Sequence, residues 1–569
     1  MVKGIQSKYI LVAILIVAAV LRVYGLSRGD TITDEVLYAF RAVGPMDFDE
    51  GGDQTTPLEW FDERGVGDRA GIPWWTKLSF HDHPPLVFWV QHFSMKIFGE
   101  TNFGFRFPAA LFGIGAVLLL YFIGRALYSE IVGFAAATLL AITVNHTYIS
   151  RIGLQESYVI FFLLLTIYFF LRSLKNDSFL MWAGIAFGFT LLTKYTGFVL
   201  VPIFLTYLLL FRREYFLNKK LWIGGFFALL IFSPVIIYNY NLYSRAGHFD
   251  FQFSYIFGQN PEVWKIAPGK EVGTLSERAS RFLPTLFKTN SWLLLILFLV
   301  SIGVAIVAAF TKRLKTLREH ALLFIVFLFL IFLVLRIGPS YRFLTLLTPF
   351  VALSIGVFWQ ASVVRYRKVV IVFSIFVVIY ELFYSVNSQI FYFPTGPETF
   401  AYSPAIRSEN YNWGFNELQK YLQNELLNKM PTEAFDVRYK FLESLQQEAV
   451  DRALAKNYDS YHAIIIYDGN IQSMAQLWVL DRLIMYHAWP VVKTEQYLYY
   501  MSANKYHDIA KAGFESYYFI IPAENMPQKK TAYLTSTGYE FEKQLIARGL
   551  KPKSIVNRRG EGAFRVYKF

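Results

Sequence analysis

The chain has 569 residues, of which 55% are hydrophobic and 18% aromatic, with a mean hydropathy of +0.36 and a formal net charge of +13. A soluble protein has no use for repeated apolar runs of about 17–20 residues, so the composition excludes an ordinary soluble enzyme and points to a polytopic membrane protein. The basic excess clusters between apolar runs, where it sets topology or meets anionic lipid, which argues against a nucleic-acid partner; the absence of cysteine excludes disulfides and thiol chemistry.

Lys3 and Lys8 precede an apolar run from Tyr9 to Leu26. It reads as a first span rather than a cleaved signal peptide, being long enough to cross and lacking a small-residue cleavage site after it. The N-terminus is then cytoplasmic and Ser27 emerges outside. From Ser27 to about Arg106 the chain is polar, in the midst of greasy sequence. Within it, Glu35–Val43 has a helical pattern. Leu86–Phe98 is apolar but short for a span, and it carries Gln91, His92 and Lys96. A helix lying along the membrane face suits it better.

Spans are then expected at about 107–124, 131–149, 157–172, 179–193, 197–211, 221–240, 291–310, 321–337, 341–361 and 369–386, about eleven in all with the first. The loops holding Arg125, Arg172 and Lys175, Arg212 to Lys220, Lys312 to Arg318, and Arg365 to Lys368 then share the cytoplasmic side, as the positive-inside rule requires. A crossing at Leu86 would invert that pattern.

The outer side receives the turn Ser150–Ser157, the long loop 241–290, the turn from Gly338 to Arg342, and the tail from Asn387. A loop as long as 241–290 is expected to be functional. In the tail charges become frequent and apolar runs short. Ala463–Tyr467 and Tyr517–Ile521 read as buried strands, with helical patterns between and before them, as in Ser473–His487. The expected organisation is a transmembrane domain over 1–386, with its first catalytic loop at 27–106, and an extracytoplasmic α/β domain over 387–569.

Carboxylates and imidazoles at a membrane face are costly to hold and are functional candidates. Asp34 and Glu35 sit just beyond the first span. Asp34 reads either as a helix N-cap or as a general base toward an acceptor hydroxyl. In His81-Asp82-His83-Pro84-Pro85 the residue before proline is pushed toward extended geometry, so His81 and His83 would point one way and Asp82 the other. His81 and Asp82 are candidate metal ligands; surface histidines at a proline-started helix are the bland alternative. Glu156 with Arg151, Lys194, and Arg336 with Arg342 lie at the same side as these carboxylates. Interfacial snorkelling accounts for any one of the basic residues alone. Acids and bases converging at one face suit a reaction with an anionic leaving group.

The ordered series Asp34-Glu35, His83-Pro84-Pro85-Leu86, Phe98-Gly99, Arg106-Phe107-Pro108, Ser150-Arg151 with Glu156, Leu192-Thr193-Lys194 and Tyr341-Arg342-Phe343 resembles the protein O-mannosyltransferase and aminoarabinose-transferase superfamily. The resemblance covers Ser7 to Gln360. It implies a GT-C fold glycosyltransferase that uses a polyprenyl-phosphate sugar. It implies further that Asp34 is the base, that Glu156 matches a second active-site acid, that His83, Lys194 and Arg342 lie by the lipid phosphate, and that Asp82 matches a position able to hold a metal. β-Trefoil repeats are absent, and Trp74-Trp75 lacks the aspartate of the oligosaccharyltransferase signature. The expected activity is inverting transfer to a hydroxyl of a protein, lipid or glycan at the outer membrane face, with a divalent metal ion an option that nothing requires. The rival is a transporter or flippase for a lipid-linked saccharide, which would place its polar residues at the midplane and repeat its halves. A structural scaffold using its tail as a binding module leaves the outer carboxylates unexplained.

Overall fold

The computed structural model describes residues 2–44, 72–259, 273–312, 314–432, 441–502, 512–529 and 534–569. Parts of the two long loops, 45–71 and 260–272, lie outside the described residues. The expected spans fall on apolar helices, except that the one at 131–149 is divided at Thr143 into Glu130–Ile142 and Val144–Ile149. Six helical segments are long and apolar enough to cross a membrane, Gln6–Val23, Asn102–Leu127, Glu156–Ser173, Lys219–Ala246, His320–Ile337 and Tyr341–Gln389. Shorter apolar helices cover Glu130–Ile142, Phe179–Thr193, Tyr195–Phe211 and Trp292–Val307. The helix Thr348–Gln389 is broken at Tyr366, whose φ of −134° and ψ of 48° are not helical. Trp359 and Phe373, placed evenly either side of the break, stack with ring centroids 6.0 Å apart, so the two halves fold back on each other. The break falls within the basic run Arg365 to Lys368, a charged tract that favours a turn at a membrane face.

Small residues let the helices approach. Gly184 and Gly188, four apart on Phe179–Thr193, meet Gly224 and Ala228, four apart on Lys219–Ala246. A Cβ on Gly184 would fall 2.1 Å from the Gly224 carbonyl oxygen, so only glycine permits this spacing. Buried arginines close helix ends. Arg151 donates to the carbonyls of Leu21 (2.7 Å), Tyr24 (2.9 Å) and Gly25 (3.1 Å), satisfying acceptors that the end of the first helix leaves open.

The basic loops share one end of the bundle. Lys220 pairs with Asp177 at 2.6 Å across two of them, and Tyr128 meets His320 at 3.1 Å across two others. The polar candidates share the opposite end, where Leu86–Phe98 packs beside Glu35–Val43.

The tail docks on that opposite end. The last apolar helix runs to Gln389, just past the expected boundary. β1 (Lys429–Pro431) and β2 (Asp459–Tyr461) pair in parallel. A five-stranded sheet has the order β4-β3-β5-β7-β6, with β3 (Ala463–Tyr467) parallel to β4 (Val491–Lys493) and β5 (Ser516–Pro522), and β7 (Gly562–Lys568) antiparallel to β5 and β6 (Lys553–Val556). Side chains alternate across it. Ile464, Ile466 and Phe519 face the helix Thr537–Ala547 through Phe541 and Leu545, while Ile465, Tyr518 and Ile520 join the core shared with the bundle. Trp478 packs on Phe105 with centroids 5.2 Å apart. The carboxylate of Asp30, fully buried, accepts the backbone N–H groups of Trp413 (2.6 Å), Gly414 (2.8 Å), Phe415 (3.1 Å) and Asn416 (3.0 Å). It thereby satisfies the open N-terminus of the helix Phe415–Glu425 and pins the tail to the loop after the first helix.

Candidate active site

Asp34 sits at the start of the Glu35–Val43 helix but does not cap it. Its backbone is already helical and its side chain makes no capping hydrogen bond. The carboxylate, 55% exposed, pairs instead with Nη1 of Arg342. Arg342 is delivered by a tight turn in which Ser340 Oγ accepts from the Phe343 N–H at 3.3 Å. Its Nε lies 3.3 Å from Glu156 Oε1, and its Nη2 3.4 Å from the Tyr38 hydroxyl. Glu156 opens the helix Glu156–Ser173 and is buried. Lys194, at the end of Phe179–Thr193, brings its Nζ to 2.5 Å from the same Oε1 and lies 5.0 Å over the Phe343 ring. Four helix ends therefore contribute to one line of alternating charge, Asp34–Arg342–Glu156–Lys194. Two cations are held over a buried carboxylate, and the fourth group, Asp34, is left facing solvent.

The histidine segment departs from the extended geometry expected of it. The Phe80 N–H bonds the His83 carbonyl at 3.2 Å, so the chain turns there and brings Asp82 to the same side as its neighbours. Asp82 accepts from Arg41 at 2.8 Å and faces His83 Nδ1 at 2.9 Å, while His83 Nε2 faces the Tyr38 hydroxyl at 2.9 Å. Burial holds the His83 imidazole below its ordinary pKa against the pull of Asp82. Burial would raise the Asp82 carboxyl, but Arg41 and the two histidines hold it well below the usual range. His83 therefore stands between Asp82 on its Nδ1 side and the Tyr38 hydroxyl on its Nε2 side.

Asp82 and His81 do not fit a divalent ion. The Arg41 guanidinium, 2.8 Å from Asp82 and 3.4 Å from His81 Nδ1, supplies the positive charge where a metal would stand. Among the described residues no three histidine, aspartate or glutamate side chains converge as a metal site would require.

Glu35 is placed away from the cluster. Neighbours on a helix point about 100° apart, so Glu35 turns inward as Asp34 turns out. Fully buried, it takes Arg106 Nη2 at 2.5 Å and Nε at 3.0 Å and the Gly153 N–H at 2.7 Å. Arg106 also donates to the carbonyls of Leu26 and Gly29. This knot fixes the loop after the first helix and leaves Glu35 no free oxygen. Arg336 is exposed and is not among the residues that these contacts join; its carbonyl accepts from Arg278 at 2.6 Å. Tyr38 and Arg41 are functional neighbours that the sequence reading missed. The signal was there: Asp34, Tyr38 and Arg41 fall at i, i+4 and i+7, one face of a helix.

A cleft of about 390 Å³ opens beside Asp34 and Arg342. Tyr148 and Tyr341 wall it from the bundle, Glu409 and Trp413 from the tail.

The solved structures of similar shape carry the same architecture. The chain matches ArnT from Cupriavidus metallidurans bound to undecaprenyl phosphate with a TM-score of 0.52 at 12% identity, over 98% of this chain and 97% of that one. It matches the archaeal oligosaccharyltransferase AglB from Archaeoglobus fulgidus, in complex with an inhibitory peptide and a dolichol-phosphate, with a TM-score of 0.50 at 13% identity, over 91% of this chain and 70% of that one. The chain has the GT-C fold of these membrane proteins. Residues 82–238 match the family model described as dolichyl-phosphate-mannose-protein mannosyltransferase. Among curated proteins, the Bacillus subtilis (strain 168) protein named "Putative mannosyltransferase YycA" is 31% identical over 147 residues, 25% of this chain and 21% of its own length. An uncharacterized protein of Aquifex aeolicus (strain VF5) is 26% identical over 314 residues, 55% of this chain and 68% of its own length. The chain thus spans about a fifth of the first relative.

Proposed function

We propose that the protein is an inverting glycosyltransferase that moves a sugar from a polyprenyl-phosphate donor to an acceptor hydroxyl at the extracytoplasmic face. The observation that carries this reading is the charge line Asp34–Arg342–Glu156–Lys194 at the end of the bundle opposite the basic loops. The polyprenyl phosphate and dolichol phosphate named with the two solved structures support a lipid-linked donor here. The placement of basic loops supports the sidedness.

The donor phosphate enters between Lys194 and Arg342, which Glu156 holds at 2.5 Å and 3.3 Å. Charge-assisted bonds to a phosphate are among the stronger hydrogen bonds and favour arginine where two can form in parallel. As Arg342 turns to the phosphate it releases Asp34, so donor binding frees the base. The acceptor hydroxyl gives its proton to Asp34 as its oxygen bonds the anomeric carbon. The bond from that carbon to the phosphate oxygen breaks with its electron pair going to the phosphate, which leaves from the opposite face and inverts the configuration. Lys194 and Arg342 stabilise the charge that develops there. Asp82 and Arg41 orient His83, which orients Tyr38 beside Arg342. No metal ion and no other cofactor enters these steps.

The test is release of polyprenyl phosphate by the purified chain in nanodiscs, with polyprenyl-phosphate mannose as first donor and a panel of hydroxyl acceptors. Acceptor-dependent release supports the reading. Transport of the lipid-linked sugar across the bilayer without cleavage would replace it with the flippase reading.

A further inference from the structure

The cleft beside Asp34 has a second wall that the transfer reaction leaves unused. Ser408, Glu409 and Trp413 come from the segment after the last apolar helix, and they face Thr33, Tyr148 and Tyr341 of the bundle. Three buried polar atoms on these walls, Thr33 Oγ1, Tyr148 Oη and Trp413 Nε1, have no hydrogen-bond partner among the described residues. Tyr148 is only 1% exposed, so bulk water does not serve it. An unpaired buried polar group costs about 1–3 kcal/mol, so a ligand able to pair with these three would be favoured there. Glu409 lines the cleft with Tyr341, and a carboxylate has about four acceptor positions to offer a ligand.

The required ligand offers both donors and acceptors over a small area. It also has an apolar face for the rings of Trp413 and Tyr341. Sugar hydroxyls donate and accept, and the C–H face of a pyranose packs on an aromatic ring. A volume of about 390 Å³ lies in the range of small-molecule sites, about 300–1,000 Å³. None of the residues lining the cleft lies in a strand, so it offers no strand edge for an extended peptide to join. The cleft is lined by Asp34, the proposed base, and by Arg342, which would reach the donor phosphate, while Lys194, Glu156 and His83 lie outside its lining, so an acceptor here would meet the base.

We propose that the acceptor is a carbohydrate, held by one sugar ring between Trp413, Glu409 and Tyr341, and that the segment from Ser408 to Trp413 selects it. The assignment of this cleft as an acceptor site rests on the transferase reading. Its ligand chemistry does not.

The full chain in nanodiscs is examined by saturation-transfer NMR with methyl α-D-mannopyranoside and, separately, a threonine-containing hexapeptide. The glycoside is expected to show transfer and the peptide none. Trp413→Ala and Glu409→Gln should each weaken the glycoside several-fold, and in turnover they should raise the acceptor KM more than they lower kcat. Tyr148→Phe guards against misfolding, since it removes only an unpaired hydroxyl; it should keep or raise thermal stability yet weaken the glycoside about fivefold, the worth of one net hydrogen bond. Peptide binding without glycoside binding overturns the proposal, as does glycoside binding that all three variants leave unchanged. Glycoside binding as expected with no donor cleavage under any condition would sustain the sugar site and sink the transferase reading alone.

Discussion

Lys194 Nζ lies 2.5 Å from Glu156 Oε1, and the carboxylate beneath it is 1% exposed. Arg342 reaches the same oxygen at 3.3 Å, so one buried acid aims two cations at one place. Taking a charge out of water is costly unless it is paired, and Lys194 and Arg342 pair this one. Glu156→Gln leaves Lys194 without its counter-charge and Arg342 with Asp34 alone. Such a variant is expected to be less stable and to raise the donor KM. A stable variant with normal donor KM would show that the cations are positioned by something else.

Arg342 touches Asp34, Glu156 and Tyr38 through three different nitrogens. A lysine has one nitrogen and cannot copy the fork. Arg342→Lys is expected to lose turnover by about 10²-fold or more, the usual cost of removing one preorganised donor to a developing charge. Expression and membrane insertion should be retained. Near-normal turnover would reduce Arg342 to an interfacial anchor.

Glu35 and Asp34 are adjacent in sequence and should fail in different ways. Breaking a buried ion pair by removing one partner costs about 3–5 kcal/mol. Glu35→Ala leaves Arg106 buried and unpaired, so thermal melting and expression should fall sharply. If Glu35→Ala folds normally and loses only turnover, the acid belongs to the chemistry after all.

Sidedness follows from accessibility. Cysteine placed at Lys175, in the basic loop, should be labelled only from the cytoplasm, and cysteine at Lys551, exposed in the tail, only from outside. Gly469 is a poor probe, because a Cβ there would stand 2.8 Å from Glu495 Oε2. Labelling of both positions from one side would reject the orientation on which the proposed reaction depends. The chain's lack of cysteine keeps the background clean.

Much of the fold was legible because burial writes itself in runs. Leu86–Phe98 and Ala463–Tyr467 have the bounds read from their apolar patterns. The fold-back at Tyr366 was legible from Arg365 to Lys368, since a charged run does not stay in lipid. The site was less legible. Nothing local separates Asp34 from Glu35, and only the helix direction sends one to the cleft and the other to Arg106. The Asp30 clamp on residues 413–416 joins segments nearly four hundred positions apart, and no periodicity records such a contact. Glu409 and Trp413 were missed for the same reason: they reach the site through the docking of the tail, and the sequence there reads as ordinary polar loop. The turn at His83 reversed the expected orientation of Asp82 because the Phe80 N–H to His83 carbonyl bond overrides the extended bias of a residue before proline.

The base assignment itself rests on Asp34, and Asn at that position is the decisive change. Asp34 makes no capping bond, so its substitution carries none of the stability cost of a lost cap, about 1 kcal/mol. Asn keeps the shape and can still meet Arg342, but it cannot take a proton. Loss of a general base costs about 10²–10⁴ in rate. Asp34→Asn is therefore expected to express and melt like the parent, to bind the donor, and to turn over at less than about a hundredth of the parental rate. Donor binding should be equal or tighter, because Arg342 is no longer shared with a competing carboxylate. Measured side by side, donor affinity and turnover separate the readings. Retention of more than about a tenth of the turnover, above the range for a lost base, would clear Asp34. The remaining carboxylate in the cleft would then be Glu409, and the same pair of measurements on Glu409→Gln would decide whether the tail supplies the base.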